Sequence, residues 1–201
     1  MIRESPVTPA SLLVRLRDGS NQDDWREFVK LYSPLVYGFV RNRGLQDADA
    51  ADLLQDVLRS VAGALDRLKY DKQKGGFRAW LFTITRNKLA TFLTSRRSHN
   101  QASGDSGQHE LLSAHPDQSS SLEGEWEREF QRQLAARAME TIQSEFEEKT
   151  WQAFWQTAVD GLSAAEVSRR IGLSSGAIYV AKSRVLARLK SEVERLMLEE
   201  D

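Results

Sequence analysis

Apolar residues recur along most of this chain at the three- and four-residue spacing of an α-helix, and signals for strands are scarce. Two such stripes precede residue 66, and the first has a predicted jog at Pro34. Their members are Trp25, Phe28, Val29, Tyr32, Val36 and Phe39, then Leu53, Leu54, Val57, Leu58, Val61 and Leu65. Thr8 and Pro9 suit the N-cap and first position of an earlier helix. The pattern predicts an all-α protein.

A third stripe, over residues 77–97, combines an apolar side with a basic side. Its apolar members are Phe77, Trp80, Leu81, Ile84, Leu89, Phe92 and Leu93. Its basic and amide residues, with two lysines just upstream, are Arg78, Arg86, Asn87, Lys88, Arg96, Arg97, Lys72 and Lys74. Cations interleaved with aromatic residues suit a partner that offers both phosphates and unstacked bases. An ordinary amphipathic helix with a solvated basic face accounts for the segment equally well.

Residues 163–190 have the pattern of a helix-turn-helix. Ser163 suits an N-cap, Gly172 suits a left-handed turn, and Ser174 can cap a longer basic helix. In that motif the start of the second helix enters the major groove of DNA. The predicted DNA-binding residues are Ser174, Ser175, Ala177, Tyr179 and Lys182, with Arg184 and Arg188 on phosphates. A helical hairpin inside a bundle is the alternative.

The composition changes between these blocks, where residues 98–122 are rich in Ser, Gly, Gln, Asp and His. This stretch is too polar to bury a core, so it predicts a flexible linker. We therefore predict two small helical domains, 1–98 and 123–201, joined by a polar linker over 99–122. The three histidines, His99, His109 and His115, all lie in that linker, where solvated side chains are a better prediction than metal ligands.

The net charge of −1 conceals a strong segregation of charge along the chain. Residues 1–98 carry 17 Lys and Arg against 11 Asp and Glu, residues 99–160 carry 4 against 12, and residues 161–198 carry 7 against 3. Two basic blocks around an acidic one predict two nucleic-acid contacts. Chance clustering on solvated helix faces is the alternative.

The composition also argues against several classes of protein. The chain has no cysteine, which excludes disulfides and thiolate metal sites. No apolar run approaches the ~20 residues that span a bilayer, and the first residues lack the apolar segment of a signal peptide. Neither a glycine-rich phosphate loop nor a cluster of catalytic histidines is present. We predict a cytoplasmic protein that is not an enzyme, has no catalytic residue, metal or cofactor, and does not insert into a membrane.

The two blocks in this order resemble a sigma-70 family RNA polymerase sigma factor, most closely of the short extracytoplasmic-function (ECF) branch. Asp49, Asp52, Gln55 and Asp56 match the family's acidic helix, which implies binding to the β′ clamp helices of bacterial core RNA polymerase. The segment from Phe77 to Asn87 resembles the helix that binds and melts the −10 promoter element. The residues implied at that element are Lys72, Lys74, Phe77, Arg78, Arg86, Asn87, Lys88, Arg96 and Arg97. The preceding loop, residues 70–76, is implied to help hold a flipped base.

The second block resembles the family's helix-turn-helix for the −35 element of promoter DNA. It departs from the family at Ala177, where a threonine is common, and at Tyr179, Val180 and Ala181, where a Lys-Ser-Arg run is common. In the first block, Thr91 replaces the usual acid. The resemblance further implies an anti-sigma factor as a partner.

Two other functions stay open at this point. The chief alternative is a two-domain helix-turn-helix regulator that binds DNA without polymerase. A helical adaptor for other proteins would have no affinity for DNA at low salt. The acidic face at Asp52, Gln55 and Asp56 separates a sigma factor from the regulator.

Overall fold

The computed structural model describes residues 9–17, 22–65, 76–103 and 119–200, and side chains within 12–17, 22–65, 76–96 and 121–197. Every regular element in these ranges is a helix, which confirms the all-α prediction. The helices are α1 (Pro9–Arg17), α2 (Gln22–Asn42), α3 (Asp47–Ala64), α4 (Gly76–Ser103), α5 (Ser119–Ile142), α6 (Glu148–Ala158), α7 (Ala164–Ile171) and α8 (Ser175–Glu200). A 3₁₀ turn at Gln143–Glu145 follows α5.

The chain divides into two compact units, and the division falls inside α5. The first unit ends at Gln131 and the second comprises Arg132–Glu200. We had expected the second block to begin at residue 123, after a linker over 99–122. The helices α4 and α5 instead extend to Ser103 and back to Ser119, and the first turns of α5 belong to the first unit.

The core of the first unit forms between α2, α3 and α4. The predicted stripes supply much of it, because Phe28, Tyr32, Phe39, Val57 and Val61 are buried. The helix α2 is continuous through Pro34. The helix α1 adds an ion pair, with Arg15 Nε 2.7 Å from Asp24 Oδ1.

The buried stripe of α4 is rotated relative to the predicted one. Leu81, Thr85 and Leu89 are fully or almost fully buried, whereas Trp80 and Ile84 are only partly buried. The buried Thr85 hydroxyl has a hydrogen-bond partner, because it donates to the Leu81 carbonyl oxygen at 2.9 Å. Trp80 therefore lies at the edge of the core, with its ring 5.4 Å from that of Phe77.

In the second unit, α6 and α7 pack against α8. Ala153, Val167, Ile178 and Ala181 form one buried cluster there, and Ile142, Phe154 and Val185 form another. These small and branched side chains let short helices approach closely. No helix among the described residues has the length and apolar character to cross a bilayer.

Candidate functional site

The exposed side of α3 carries the residues that the sequence assigned to polymerase. Asp52, Gln55 and Asp56 are exposed, and Asp49 is partly buried. Helical spacing places them opposite the buried Leu53, Val57 and Val61. Asp56 pairs with Arg59, with Oδ1 2.7 Å from Nη2. Asp52 makes no hydrogen bond or ion pair with any described residue, so its charge is available to a partner.

The exposed side of α4 carries several hydroxyl side chains and one amide. Its hydroxyl residues turn back on their own helix, because Thr83, Thr91 and Thr94 each donate to the carbonyl four residues earlier at 2.9–3.0 Å. Asn87 is exposed among them. Because this face carries an amide and small side chains, a nucleic-acid strand could approach the helix closely.

Several of the predicted cations on α4 already have partners within the first unit. The Arg78 Cζ lies 4.1 Å from the centre of the Phe130 ring, and its Nη2 lies 3.4 Å from Glu127 Oε2. Arg96 Nη1 lies 2.7 Å from Asp49 Oδ2, which joins a predicted DNA residue to a predicted polymerase residue. A strand of DNA would have to compete with these carboxylates for the two arginines.

The remaining predicted −10 residues differ in their surroundings. Phe77 is 5% exposed and packs against Phe28 and Tyr32 at ring separations of 5.7 and 5.1 Å, so it belongs to the core. Arg86 lies over the Phe82 ring at 5.8 Å, and Lys88 is partly buried. Lys72, Lys74, most of the loop at 70–76 and the side chain of Arg97 lie outside the described residues.

The two helices of the predicted helix-turn-helix are α7 and α8, and Ser163, Gly172 and Ser174 make the caps and turn expected from the sequence. The Ser163 Oγ accepts from the Glu166 backbone N–H at 3.3 Å, and Glu166 Oε2 accepts from the Ser163 N–H at 2.9 Å. Hydrogen bonds from the Ser163 side chain and backbone lower the pKa of Glu166. Gly172 has a φ of 71°, and Ser174 Oγ accepts from the Ala177 N–H at 3.2 Å.

The first turns of α8 present an apolar surface. Tyr179 is 65% exposed and Val180 is 58% exposed, and Ser175 and Ala177 are exposed as well. The single cation in this stretch, Lys182, is partly buried, with Nζ 3.4 Å from the Thr157 carbonyl of α6. Lys182 is thus directed at the protein rather than away from it.

The two arginines predicted to bind phosphate have different environments. Arg184 is exposed and makes no ion pair with any described residue. Arg188 makes a bidentate pair with Glu145, both distances 2.7 Å, and a 3.0 Å contact with Glu192. Hydrogen bonds to Glu145, then to Glu192, raise the pKa of Arg188 above its ordinary value.

Glu192 is the buried centre of this network. It is 2% exposed and also accepts from Arg195 at 2.5 Å. Hydrogen bonds from Arg195 and Arg188 outweigh the opposing effect of burial and lower the pKa of Glu192. Glu192 thus links Arg188 and Arg195 within α8. Arg188 in turn connects α8 to the 3₁₀ turn through Glu145.

Comparison with known protein families bears on the first unit. Residues 28–99 match the family model for sigma-70 region 2. The match begins in α2, includes all of α3 and ends in α4, which are the three helices that form the core of this unit. This match supports a relationship between the first unit and the sigma-70 family.

Other comparisons add little to the sigma-70 region 2 match. One solved structure that matches is that of CnrH in complex with the cytosolic domain of CnrY. Its sequence is 21% identical to this one, and the alignment covers 92% of this chain and 96% of that chain. Its TM-score of 0.36 is too low to relate the two arrangements. No curated protein matches the chain.

A set of residues beyond the sigma-70 region 2 match completes the first unit, and the sequence did not predict it. Trp126 of α5 is 4% exposed and packs against Phe39 and Phe82 at 5.3 and 5.5 Å. Glu125 Oε2 lies 2.5 Å from Arg43 Nη2, and Glu129 accepts from Asn42 at 3.0 Å. The spacing of Trp126 and Phe130 at i and i+4 is a signal for a helix face, but nothing in it identifies the surface that the face covers.

Proposed function

We propose that this chain is a sigma factor of the ECF branch. It binds bacterial core RNA polymerase, directs it to specific promoters and helps to open the −10 element. The observation that carries the proposal is the sigma-70 region 2 match over α2–α4, together with the exposed Asp52 on the outer side of α3.

Polymerase binding falls to α3. Asp52, Gln55 and Asp56 share one exposed face, and an acidic face of this kind binds a basic protein surface rather than DNA. Asp49 contributes less directly, because Arg96 already neutralises part of its charge. The predicted partner surface is the β′ clamp helices.

Opening of the −10 element falls to α4 and the lysines before it. Asn87 is exposed, Arg86 and Lys88 are partly exposed, and the partly buried Trp80 offers an aromatic face. Base–aromatic stacking contributes ~1–3 kcal/mol per base, which is comparable to the few kcal/mol that unstacking costs. One or two captured bases therefore offset the cost of opening once polymerase fixes the geometry.

Recognition of the −35 element falls to α7 and α8. Ser175, Ala177 and Tyr179 are exposed at the start of α8, and Arg184 is the exposed cation beside them. The capped turn at Gly172 fixes the angle between the two helices. Arg188 was predicted to contact phosphate, but its guanidinium group is already paired with Glu145 and Glu192. We therefore assign it the role of positioning α8 against the 3₁₀ turn.

Two further parts of the proposal rest on the resemblance to the ECF branch. The factor acts in the cytoplasm, where core polymerase is found, and an anti-sigma factor regulates it.

Charge reversal at Asp52 tests the proposal. We expect Asp52→Arg to abolish co-purification with core RNA polymerase and to leave the far-ultraviolet circular dichroism spectrum unchanged, because this side chain is exposed and has no partner among the described residues. Glu123→Arg is the matched control, since Glu123 is also an exposed acid of the first unit with no ion pair to a described residue. Equal binding of wild type and Asp52→Arg would contradict the proposed polymerase face.

The stand-alone regulator is the second candidate, favoured by the exposed helix-turn-helix. It predicts that the wild-type chain binds duplex DNA but does not co-purify with core polymerase at any salt concentration. The same pull-down therefore separates the two candidates.

A further inference from the structure

The stretch of α8 that would face DNA lacks the side chains that usually identify bases by hydrogen bonding. Residues 175–183 contain no Arg, Asn, Gln, Asp or Glu. Their only charged residue is Lys182, and its ammonium group is directed at the Thr157 carbonyl. The large apolar side chains exposed in this stretch are those of Tyr179 and Val180.

The chemistry of the major groove limits what such a surface can read. Guanine is typically read by Arg or Lys, adenine by Asn or Gln, and cytosine by an acid, each through hydrogen bonds. The one base that presents an apolar group in this groove is thymine, through its C5-methyl group. The exposed carbon surface of Ala177, Tyr179 and Val180 is complementary to that methyl group and to no other base edge.

We propose that α8 selects its DNA site through apolar contact with thymine C5-methyl groups, made by Tyr179 and Val180, with Ala177 one helical turn before Val180. This inference rests on the proposed function of the second unit and specifies its ligand as a thymine-containing major groove. Serine hydroxyls at 175 and 183 add contacts that do not distinguish strongly between bases.

Charge complementarity favours duplex DNA over another protein as the occupant of this surface. Arg169 and Arg170 are exposed at the end of α7, and Arg184 is exposed on α8. The acids nearest in sequence are Glu166, which is held in the capping box, and Glu192, which is buried in its arginine network. An apolar surface bordered by exposed cations suits a groove bordered by phosphates.

The test uses the full chain bound to core RNA polymerase, with the pull-down above performed first. A promoter library with a randomised −35 region is selected for binding, and the enriched duplex is resynthesised with deoxyuridine in place of each thymine in turn. Deoxyuridine pairs as thymine does but lacks the methyl group. We expect a loss of about fourfold in affinity for each contacted methyl, from the usual free energy of burying one such group.

Val180→Ser is the matching protein variant, because it removes apolar surface at an exposed position without disturbing the core. It should abolish the penalty for deoxyuridine at one position of the site. Val159→Ser is its control, since Val159 is an exposed valine of the same unit outside α8. That variant should retain the full penalty.

The outcomes separate this inference from the proposed function. Enrichment of thymine with a deoxyuridine penalty that Val180→Ser reduces supports the inference. Enriched sites that bind equally with thymine and deoxyuridine overturn the inference. A core-bound chain that enriches no −35 sequence overturns it as well. Both results leave the sigma-factor function intact. Failure to bind core polymerase overturns the proposed function instead.

Discussion

Individual arginines in this chain have roles that depend on their partners rather than on their position in a basic segment. Arg184 and Arg188 lie one helical turn apart, yet Arg184 is free of ion pairs among the described residues, and Arg188 is held by two carboxylates. Arg78 and Arg96 are likewise engaged, by Glu127 and Asp49. Sequence alone predicted the basic character of both blocks. Glu145, Glu127 and Asp49, however, lie 43 to 49 residues from the arginines they pair with, and no local pattern specifies them.

The contrast between the two arginines of α8 gives a first prediction. Arg184→Ala should weaken duplex binding and reduce the slope of log affinity against log salt by about 0.9, the value for one lost phosphate contact. Arg188→Ala should leave that slope unchanged and lower the thermal stability of the second unit. Binding isotherms at several salt concentrations, with a thermal melt of each variant, test the pair. Equal changes in slope would contradict the different roles.

Glu192 gives a second prediction, on pH. Because its pKa is lowered in the folded state, its contribution to stability is complete above the ordinary glutamate pKa and is lost as the pH falls through the lowered value. Glu192→Gln should therefore flatten the fall in unfolding free energy over that acid range. Urea denaturation at a series of pH values measures the effect. Parallel pH profiles for wild type and variant would show that Glu192 does not contribute.

At the scale of elements, caps and turns could be predicted from the sequence, whereas helix faces could be predicted only in part. The capping box at Ser163 and the turn at Gly172 depend on residues within a few positions of each other, so their signals are local. The face that α4 buries depends on α2, α3 and α5. That is why Trp80 was expected in the core and Thr85 was not.

The turn of the helix-turn-helix gives a third prediction. Gly172→Ala should destabilise the second unit by about 1–2 kcal/mol, because a side chain at a left-handed φ is strained. Gly176→Ala is the control, since Gly176 is helical and a Cβ there meets no other atom within 4 Å. Urea denaturation of both variants tests the difference. A loss for Gly176→Ala equal to that for Gly172→Ala would contradict the assignment to backbone strain.

At the scale of the molecule, the division into units could not be placed from composition. The polar stretch at 98–122 predicted a break between helical blocks, and the first turns of α5 pack on the first unit through Trp126 and Phe130. The acidic residues there, Glu125, Glu127 and Glu129, have partners on α2, α4 and the Arg43 turn. These three acids of the acidic block thus contribute to the structure of the first unit.

Trp126 gives the fourth prediction. Trp126→Ala should lower the unfolding free energy of the first unit by about 3–5 kcal/mol, the usual cost of deleting a buried Trp side chain. Trp126→Phe should cost less, because the Trp126 indole N–H has no hydrogen-bond partner among the described residues. Trp155→Ala is the control, since that ring is exposed in the second unit. Hydrogen exchange localises each loss, and unchanged protection of α2 and α4 in Trp126→Ala would contradict this packing.

The central claim is that this chain makes core RNA polymerase specific for promoters. The most direct measurement is run-off transcription from a library of genomic fragments, with bacterial core polymerase and the purified chain. The account predicts stable binding to core polymerase and new, discrete transcription start sites that Asp52→Arg abolishes. Retained affinity for DNA without binding to core and without new start sites would contradict it.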